Sequence, residues 1–197
     1  LVESPCAIVF CNTRSAVNHL QTSLLERGFS VVALSGELTQ NERTNALNSL
    51  RDGRARVCVA TDVAARGIDL PNLGLVIHAD LPNDPEVMQH RSGRTGRAGK
   101  KGISVLLVPP ARRRRAELLR NLAGTEAIWG TAPQADEIRA LDQQRMLQDE
   151  LFTEEATPED QALAQTLLAE RSAEQIAIAL ARLYRARLPA PEDILDP

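Results

Sequence analysis

The sequence predicts an α/β fold: a parallel sheet sandwiched by helices, followed by a small all-helical extension. Three observations predict it. Short β-rich apolar runs alternate with helical patterns through the first two thirds of the 197 residues. Several of these runs are apolar at consecutive positions, as strands buried on both faces of a parallel sheet are. After about residue 125 the alternation gives way to long, acid-rich helical sequence.

The first strand is expected at residues 7–11, A-I-V-F-C, and the first helix at 15–27. V-V-A-L at 31–34 is the second strand. The helix after it, 40–51, has a defined start, because Thr39 and Glu42 have the spacing of a capping box. V-C-V-A at 57–60 and L-V-I-H-A at 75–79 are the third and fourth strands. Asp84 and Pro85 then open a helix over 86–92, an N-cap followed by proline at the first helical position. Residues 103–108 form the fifth strand and 111–122 the next helix.

The lobe boundary is expected at 132, with the extension over 133–197. Residues 127–129 read as a last short strand, and a helix begins at Pro133 and runs to about Glu150. Thr157-Pro158-Glu159-Asp160 starts another, with a hydroxyl N-cap, a proline and acids favoured by the helix dipole. Ser172 and Gln175 open a third. Its Ile176, Ile178, Leu180, Leu183 and Tyr184 cover more than one face, so it calls for burial on several sides. Pro189-Ala190-Pro191 reads as the start of a linker, with more chain expected beyond it.

Charge divides along the same line. Residues 1–125 hold 17 Arg and Lys against 11 Asp and Glu, whereas 126–197 hold 6 against 15, so a net of −3 conceals +6 and −9. The basic part suits a polyanionic partner and the acidic part does not. No run of about 18 apolar residues is present and the start lacks the layout of a signal peptide, so a cytoplasmic protein with no membrane role is expected. Cys6, Cys11 and Cys58 form no C-x-x-C pair and are expected to be small buried hydrophobes, with no metal site.

In a sheet of this kind ligands bind in loops at the carboxyl ends of the strands. The polar clusters are expected there. The octet H-R-S-G-R-T-G-R at 90–97 suits a polyphosphate, because guanidinium groups grip phosphate oxygens in a bidentate fork and glycines let the backbone approach. In A-T-D-V-A-A-R-G-I-D at 60–69, Thr61 can hold a phosphate oxygen and Asp69 can accept from a ribose hydroxyl. Gln40 and Arg43, three apart after Gly36, share one face of a helix N-terminus, a ready phosphate site.

Taken in order, I-V-F-C-N-T at 8–13, the Gly36/Gln40/Arg43 element, 60–69 and 90–97 resemble motifs IV, G-x-x-x-Q-x-x-R, V and VI of the second RecA-like lobe of DEAD-box RNA helicases. The resemblance covers about residues 5–125. It implies a RecA-like lobe and, in the full-length protein, an ATP-dependent RNA helicase. By that resemblance Arg94 and Arg97 reach the γ-phosphate of ATP, held with Mg²⁺ by the N-terminal lobe, one of them as an arginine finger. Gly67 and Asp69 meet the nucleotide, Asp69 at the ribose. His90 and Arg91 make cross-lobe contacts that couple ATP to RNA, and Phe10 packs near the motif VI arginines. Thr13, Arg14, Gly36, Gln40, Arg43 and Thr61 hold the RNA backbone, which positions RNA without reading sequence.

Two positions depart from the family: Ser35 stands where histidine is usual, and Ser92 where an aliphatic residue is common, a change expected to affect packing. No G-x-x-x-x-G-K-[ST], D-E-A-D or S-A-T occurs, so the chain is expected to be a piece that is inactive alone. Residues 133–197 resemble the dimerisation module of bacterial cold-shock-type DEAD-box helicases, which implies a homodimer; folding back on the lobe is the competing reading. An RNA-binding or dimerising adaptor is the alternative function, and the full set of Arg94, Arg97 and Asp69 favours the enzyme. The arginine run 112–115 reads first as a solvated face and second as an auxiliary RNA contact. Trp129 reads as core, and His19 and His78 are given no catalytic role.

Overall fold

The computed structural model describes residues 6–70, 73–96 and 101–192. The chain divides into two compact units, Leu1–Trp129 and Gly130–Pro197. Five parallel strands form the first: β1 (Cys6–Phe10), β2 (Val31–Leu34), β3 (Val57–Ala60), β4 (Leu73–His78) and β5 (Ile103–Leu106), in the order β2-β3-β1-β4-β5. The central β1 is buried at every position, which is why its sequence is apolar at consecutive residues rather than alternate ones.

The register sorts side chains onto two faces. Ala33, Val59, Val9, Ile77 and Val105 lie in line on one; Leu34, Ala60, Phe10, His78 and Leu106 lie in line on the other. Helix α1 (Arg14–Glu26) covers the first face, where Val17, Leu20 and Leu24 pack against Val9, Val57 and Val59. On the second face α2 (Gln40–Arg51) and the segment 61–70 bury Leu50, Ala64, Ala65 and Ile68 against Ile8, Phe10, Leu34 and Cys58. Helix α3 (Pro85–Ser92) packs on β4.

The sequence signals for helix starts hold at atomic detail. Thr13, Thr39 and Asp84 each accept from the backbone N–H three residues on, and Thr39 with Glu42 forms the full capping box. The Thr39 hydroxyl and N–H hold the Glu42 carboxyl below its usual range. Burial pushes the Cys6 and Cys11 thiols up to about 11 and Cys58 higher still, which makes them packing groups rather than nucleophiles.

Three expectations need correction. Residues 127–129 form no strand: Gly124, at φ 62°, ends the preceding helix by turning the chain, and Ile128 and Trp129 emerge exposed. Trp129 is therefore not core. The edge strand β5 is not covered on both faces, because α1 contacts β2 and β3 while Ile103, Val105 and Leu107 stand exposed beyond its reach.

After a 3-10 turn at Pro110–Arg112, α4 (Arg113–Leu122) turns Ala116 and Leu119 inward. Its start is poorly made. Arg112 at the N-cap gives no capping bond, the first turn holds no acid, and the arginine run faces the positive end of the dipole. Each such cation costs roughly 0.3 kcal/mol or more.

The second unit contains α5 (Ala135–Leu147), α6 (Pro158–Glu170) and α7 (Ala173–Ala186), with α6 packed on α7. Gln134 with Glu137, Thr157 with Asp160 and Ser172 with Gln175 complete capping boxes at their starts. Leu163, Leu167 and Leu168 of α6, and Ile178, Leu180 and Leu183 of α7, remain exposed.

His78 is fully buried on β4. Its ring centroid lies 6.3 Å from that of Phe10, and Nε2 lies 3.1 Å from Ser104 Oγ and 3.3 Å from Ser92 Oγ. Nδ1 has no hydrogen-bond partner among the described residues. Burial first, and the neighbouring Arg91 cation second, push its pKa down to about 4. The unfolded chain takes up the same proton near pH 6.5. Above that pH both states are neutral; below it only the unfolded state gains the proton, so stability falls as pH drops from about 6.5 to 4, by roughly 1.4 kcal/mol per unit. Urea titrations of the wild type and of His78→Asn at pH 7 and pH 5 should show their stability difference shift by roughly 2 kcal/mol against the wild type at the lower pH. Parallel pH profiles would refute the buried neutral imidazole.

Candidate functional site

The octet at 90–97 is not a loop at the carboxyl edge of the sheet, because α3 continues through Ser92. One side chain reaches back to that edge. Arg91 donates from Nε to Asp62 Oδ1 at 2.6 Å and from Nη2 to Asp62 Oδ2 and Asn12 Oδ1, both at 2.7 Å. Its Nη1 donates to the Asp80 carbonyl at 2.9 Å, and Cζ sits 5.2 Å from the centre of the Phe10 ring. Asn12 is itself pinned: its N–H donates to the Asp80 carboxylate at 2.8 Å and its amide nitrogen to the Leu81 carbonyl at 3.0 Å. The chain just beyond β1, β3 and β4 thus converges on one guanidinium.

That geometry corrects the expected role of Arg91. It is 1% exposed, and its N–H groups bind partners inside its own lobe. A cation out of water must be paired, and here the pairing is internal. Arg91 is engaged within its own lobe, where it ties the strand ends together. Phe10 lies beneath the motif VI arginine, as the resemblance implies.

A second seam joins the same two segments. The Thr95 hydroxyl donates to the Leu73 carbonyl at 2.7 Å, at the first residue of β4, and the Leu73 N–H donates to the Leu70 carbonyl at 3.1 Å. Residues 91–95 are therefore tied to the chain after β3 at Asp62–Arg91 and again at Leu73–Thr95. Gly67, exposed at φ 70°, holds a left-handed conformation that side-chain-bearing residues rarely adopt. Asp69 is exposed, Arg94 is half-buried just past α3, and His90 is exposed with Nε2 4.0 Å from Glu86. Arg97 lies outside the described residues.

Residues that the sequence reading did not single out hold this arrangement. Asn12, Asp62 and Asp80 gather the strand ends. Gly102 matters by what it lacks: a Cβ there would collide with Thr95 Oγ1 and the Gly96 nitrogen. Ser92 was expected to affect packing alone, yet its hydroxyl lies 2.9 Å from Ser104 Oγ as well as beside His78. A half-buried hydroxyl needs such partners.

The remaining candidates divide into exposed and inward groups. Thr13 caps α1, Arg14 pairs with Glu37 at 2.5 Å, and Gln40 is exposed at the first position of α2. A Cβ at Gly36 would lie 3.2 Å from Arg14 Nη2, so glycine there makes room for the guanidinium. Arg43 turns inward, donating to the Ala64 carbonyl at 2.5 Å and the Arg66 carbonyl at 2.9 Å. Thr61 is buried, its hydroxyl accepting from the Ala64 N–H at 3.4 Å. These two clamp segment 61–70, whereas Thr13, Arg14, Gly36 and Gln40 present themselves at the surface.

Asp62→Asn keeps the shape of the Arg91 cradle but strips its negative charge. Urea denaturation should show a loss of roughly 3 kcal/mol, the low end for breaking a buried pair because Asp62 is 39% exposed. An unchanged midpoint would remove the hub from the stability of the lobe.

The family described as the helicase conserved C-terminal domain matches residues 2–99. The DEAD-box ATP-dependent RNA helicase CshA of Bacillus anthracis is 42% identical over 168 residues, which are 83% of this chain and 30% of that protein. The ATP-dependent RNA helicase DbpA of Escherichia coli K12 is 40% identical over 135 residues, 68% of this chain and 30% of that protein. The chain thus spans under a third of the length of these curated relatives. Among solved structures, the E. coli DEAD-box protein SrmB bound to regulator of ribonuclease activity A superposes with a TM-score of 0.56 at 37% identity, covering 66% of this chain and 82% of that one. The five-stranded parallel sheet is the RecA-like lobe that the motifs imply, and the chain belongs to the DEAD-box helicases, as their C-terminal helicase lobe.

Proposed function

We propose that this chain is the ATP-responsive second lobe of an RNA-stimulated ATPase that remodels RNA duplexes. The observation that carries the reading is the convergence of β1, β3 and β4 on Arg91. It sets the exposed RNA candidates Thr13, Arg14, Gly36 and Gln40 and the nucleotide candidates Gly67, Asp69 and Arg94 in one frame.

The donor set fits one side of a nucleotide. Asp69 offers an acceptor for a ribose hydroxyl, Gly67 lets the backbone approach, and Arg94 with Arg97 supplies guanidinium groups for the terminal phosphate. ATP supplies the phosphoryl group to be transferred; its phosphate cradle and Mg²⁺ ligands are assigned to the N-terminal lobe. The work of Arg94 and Arg97 is to neutralise charge that develops on the equatorial phosphate oxygens, an effect worth roughly 10³-fold or more for an arginine finger. His90, exposed at the end of α3, is the cross-lobe contact of the octet now that Arg91 is placed inside. Arg43 and Thr61 act on RNA through the loop they clamp, and the exposed four hold its sugar-phosphate backbone. We place its action in the cytoplasm, the compartment that keeps buried thiols such as Cys11 and Cys58 reduced.

Residues 1–132 are assigned to the helicase lobe and 133–197 to a homodimerisation module. The exposed leucines of α6 and α7, with Ile178, support the second assignment, since a self-complementary apolar face is what a two-fold interface needs.

The isolated chain should show no RNA-stimulated ATP hydrolysis and should gain it when joined to a DEAD-box N-terminal lobe. In the joined protein Arg94→Ala or Arg97→Ala should lower kcat by roughly 10³-fold, while Gln40→Ala should raise the apparent KM for RNA and leave ATP turnover at saturating RNA intact. Hydrolysis by the isolated chain, or full activity of the arginine variants, would overturn the assignment. Sedimentation should show a dimer for the whole chain and a monomer for one ending at residue 150; monomers in both cases rule the module out.

A further inference from the structure

We propose that the start of α4 and Trp129 form an accessory contact for single-stranded RNA, separate from the residues assigned to RNA above and resting on that reading of the lobe. Arg112, Arg113, Arg114 and Arg115 are all exposed. They stand at a helix end whose dipole disfavours cations and which has neither a cap nor an acid to compensate. Helix stability does not account for them; an external anion does.

Their partners separate their tasks. Arg115 Nη2 reaches the Asn83 carbonyl at 3.4 Å, which ties the start of α4 to the loop beyond the carboxyl end of β4. Arg113 lies with Cζ 4.7 Å from the centre of the Trp129 ring and Nε 3.4 Å from Glu117 Oε1, so it orients the indole. The side chains of Arg112 and Arg114 have no hydrogen-bond or ion-pair partner among the described residues. Trp129 is 46% exposed. An indole held by a guanidinium beside unpaired arginines offers a stacking surface for a base and cations for the phosphates next to it.

The position fits the same ligand. Helix α4 follows β5, and Leu107 donates to the His78 carbonyl, so the arginines begin at the carboxyl edge that also carries Thr13 and Gln40. β5 is two strands from β1, about 10 Å along that edge at ordinary strand spacing. A strand of RNA lying on the exposed residues after β2 and β1 reaches α4 by continuing along the edge. An acidic protein segment would match the charge but has no use for the indole, and RNA uses both.

Fluorescence anisotropy of the 197-residue chain with a labelled single-stranded RNA tests this. Arg112→Glu with Arg114→Glu should weaken binding at least about tenfold and flatten the slope of log K against log salt by about 1.4, two single-strand phosphate contacts. Trp129→Ala should cost about fivefold or more and leave the slope unchanged. Because acids suit a helix start, the double variant should melt no lower than the wild type, so weaker binding cannot come from unfolding. Gln40→Ala, run alongside, separates the two readings. Binding that depends on Gln40 but ignores the charge reversal keeps the lobe as RNA-binding and overturns the accessory contact. No binding by the wild type overturns both. A charge reversal that alters sedimentation while RNA affinity stands assigns the arginines to a protein partner and overturns the proposal.

Discussion

A single guanidinium out of water sets the terms for the rest of this lobe. Arg91 brings one positive charge into a place where it must be neutralised and hydrogen-bonded, and the groups that do so come from beyond three different strands: Asn12, Asp62 and the Asp80 carbonyl. Each satisfies a separate direction of a planar fork, so moving any one strand end leaves a donor unmet at low dielectric. Lysine has the charge but only three donors on one nitrogen, too few for the four bonds that Arg91 makes from three nitrogens. The Phe10 ring beneath completes the cage with its π face. The loops that carry the chemistry are fixed because a buried cation leaves them no alternative.

The same constraint explains how the octet divides its labour. Helix α3 turns Met88 and Arg91, three residues apart, to the buried side and leaves His90 exposed. Past Gly93 the chain leaves the helix, and Thr95 fastens it to Leu73, with Gly102 making room. Arg94 therefore sits between two fixed points, Arg91 and Thr95, on a short segment. An arginine meant for a developing charge has to be held before that charge appears, since reorganisation during reaction forfeits the gain. One arginine of the motif is structural, and the role proposed for Arg94 requires a segment held in this way.

Much of the fold was legible because its signals are local. The bounds of β2, α2 and β3 follow from apolar runs and from the Thr39 cap, and the structure places them where the sequence does. The octet showed less, since four ionisable side chains within eight residues carry no label for inward or outward. The missing signal was Met88, an apolar residue one helical turn before Arg91 on a helix that already had a defined start at Asp84. Asp62, Asp80 and Asn12 were invisible as a group because strand order, not sequence distance, brings them together. Trp129 and residues 127–129 misled for the opposite reason. Apolar side chains usually mark burial, but Gly124 had already turned the chain away from the sheet.

The departure at Ser92 shows how one polar substitution recruits others. A half-buried hydroxyl needs partners, and it finds His78 Nε2 and Ser104 Oγ. His78 serves in its neutral form, with Nε2 donating or accepting according to the tautomer. Protonated, it would set a second buried cation near Arg91, and that repulsion is one of the two causes holding its pKa down. The low pKa protects the hub in turn, because around neutral pH the imidazole stays uncharged and adds no second cation beside Arg91. The serine, the histidine and the arginine hold as one electrostatic unit, in which changing the protonation of one alters the conditions under which the others are stable.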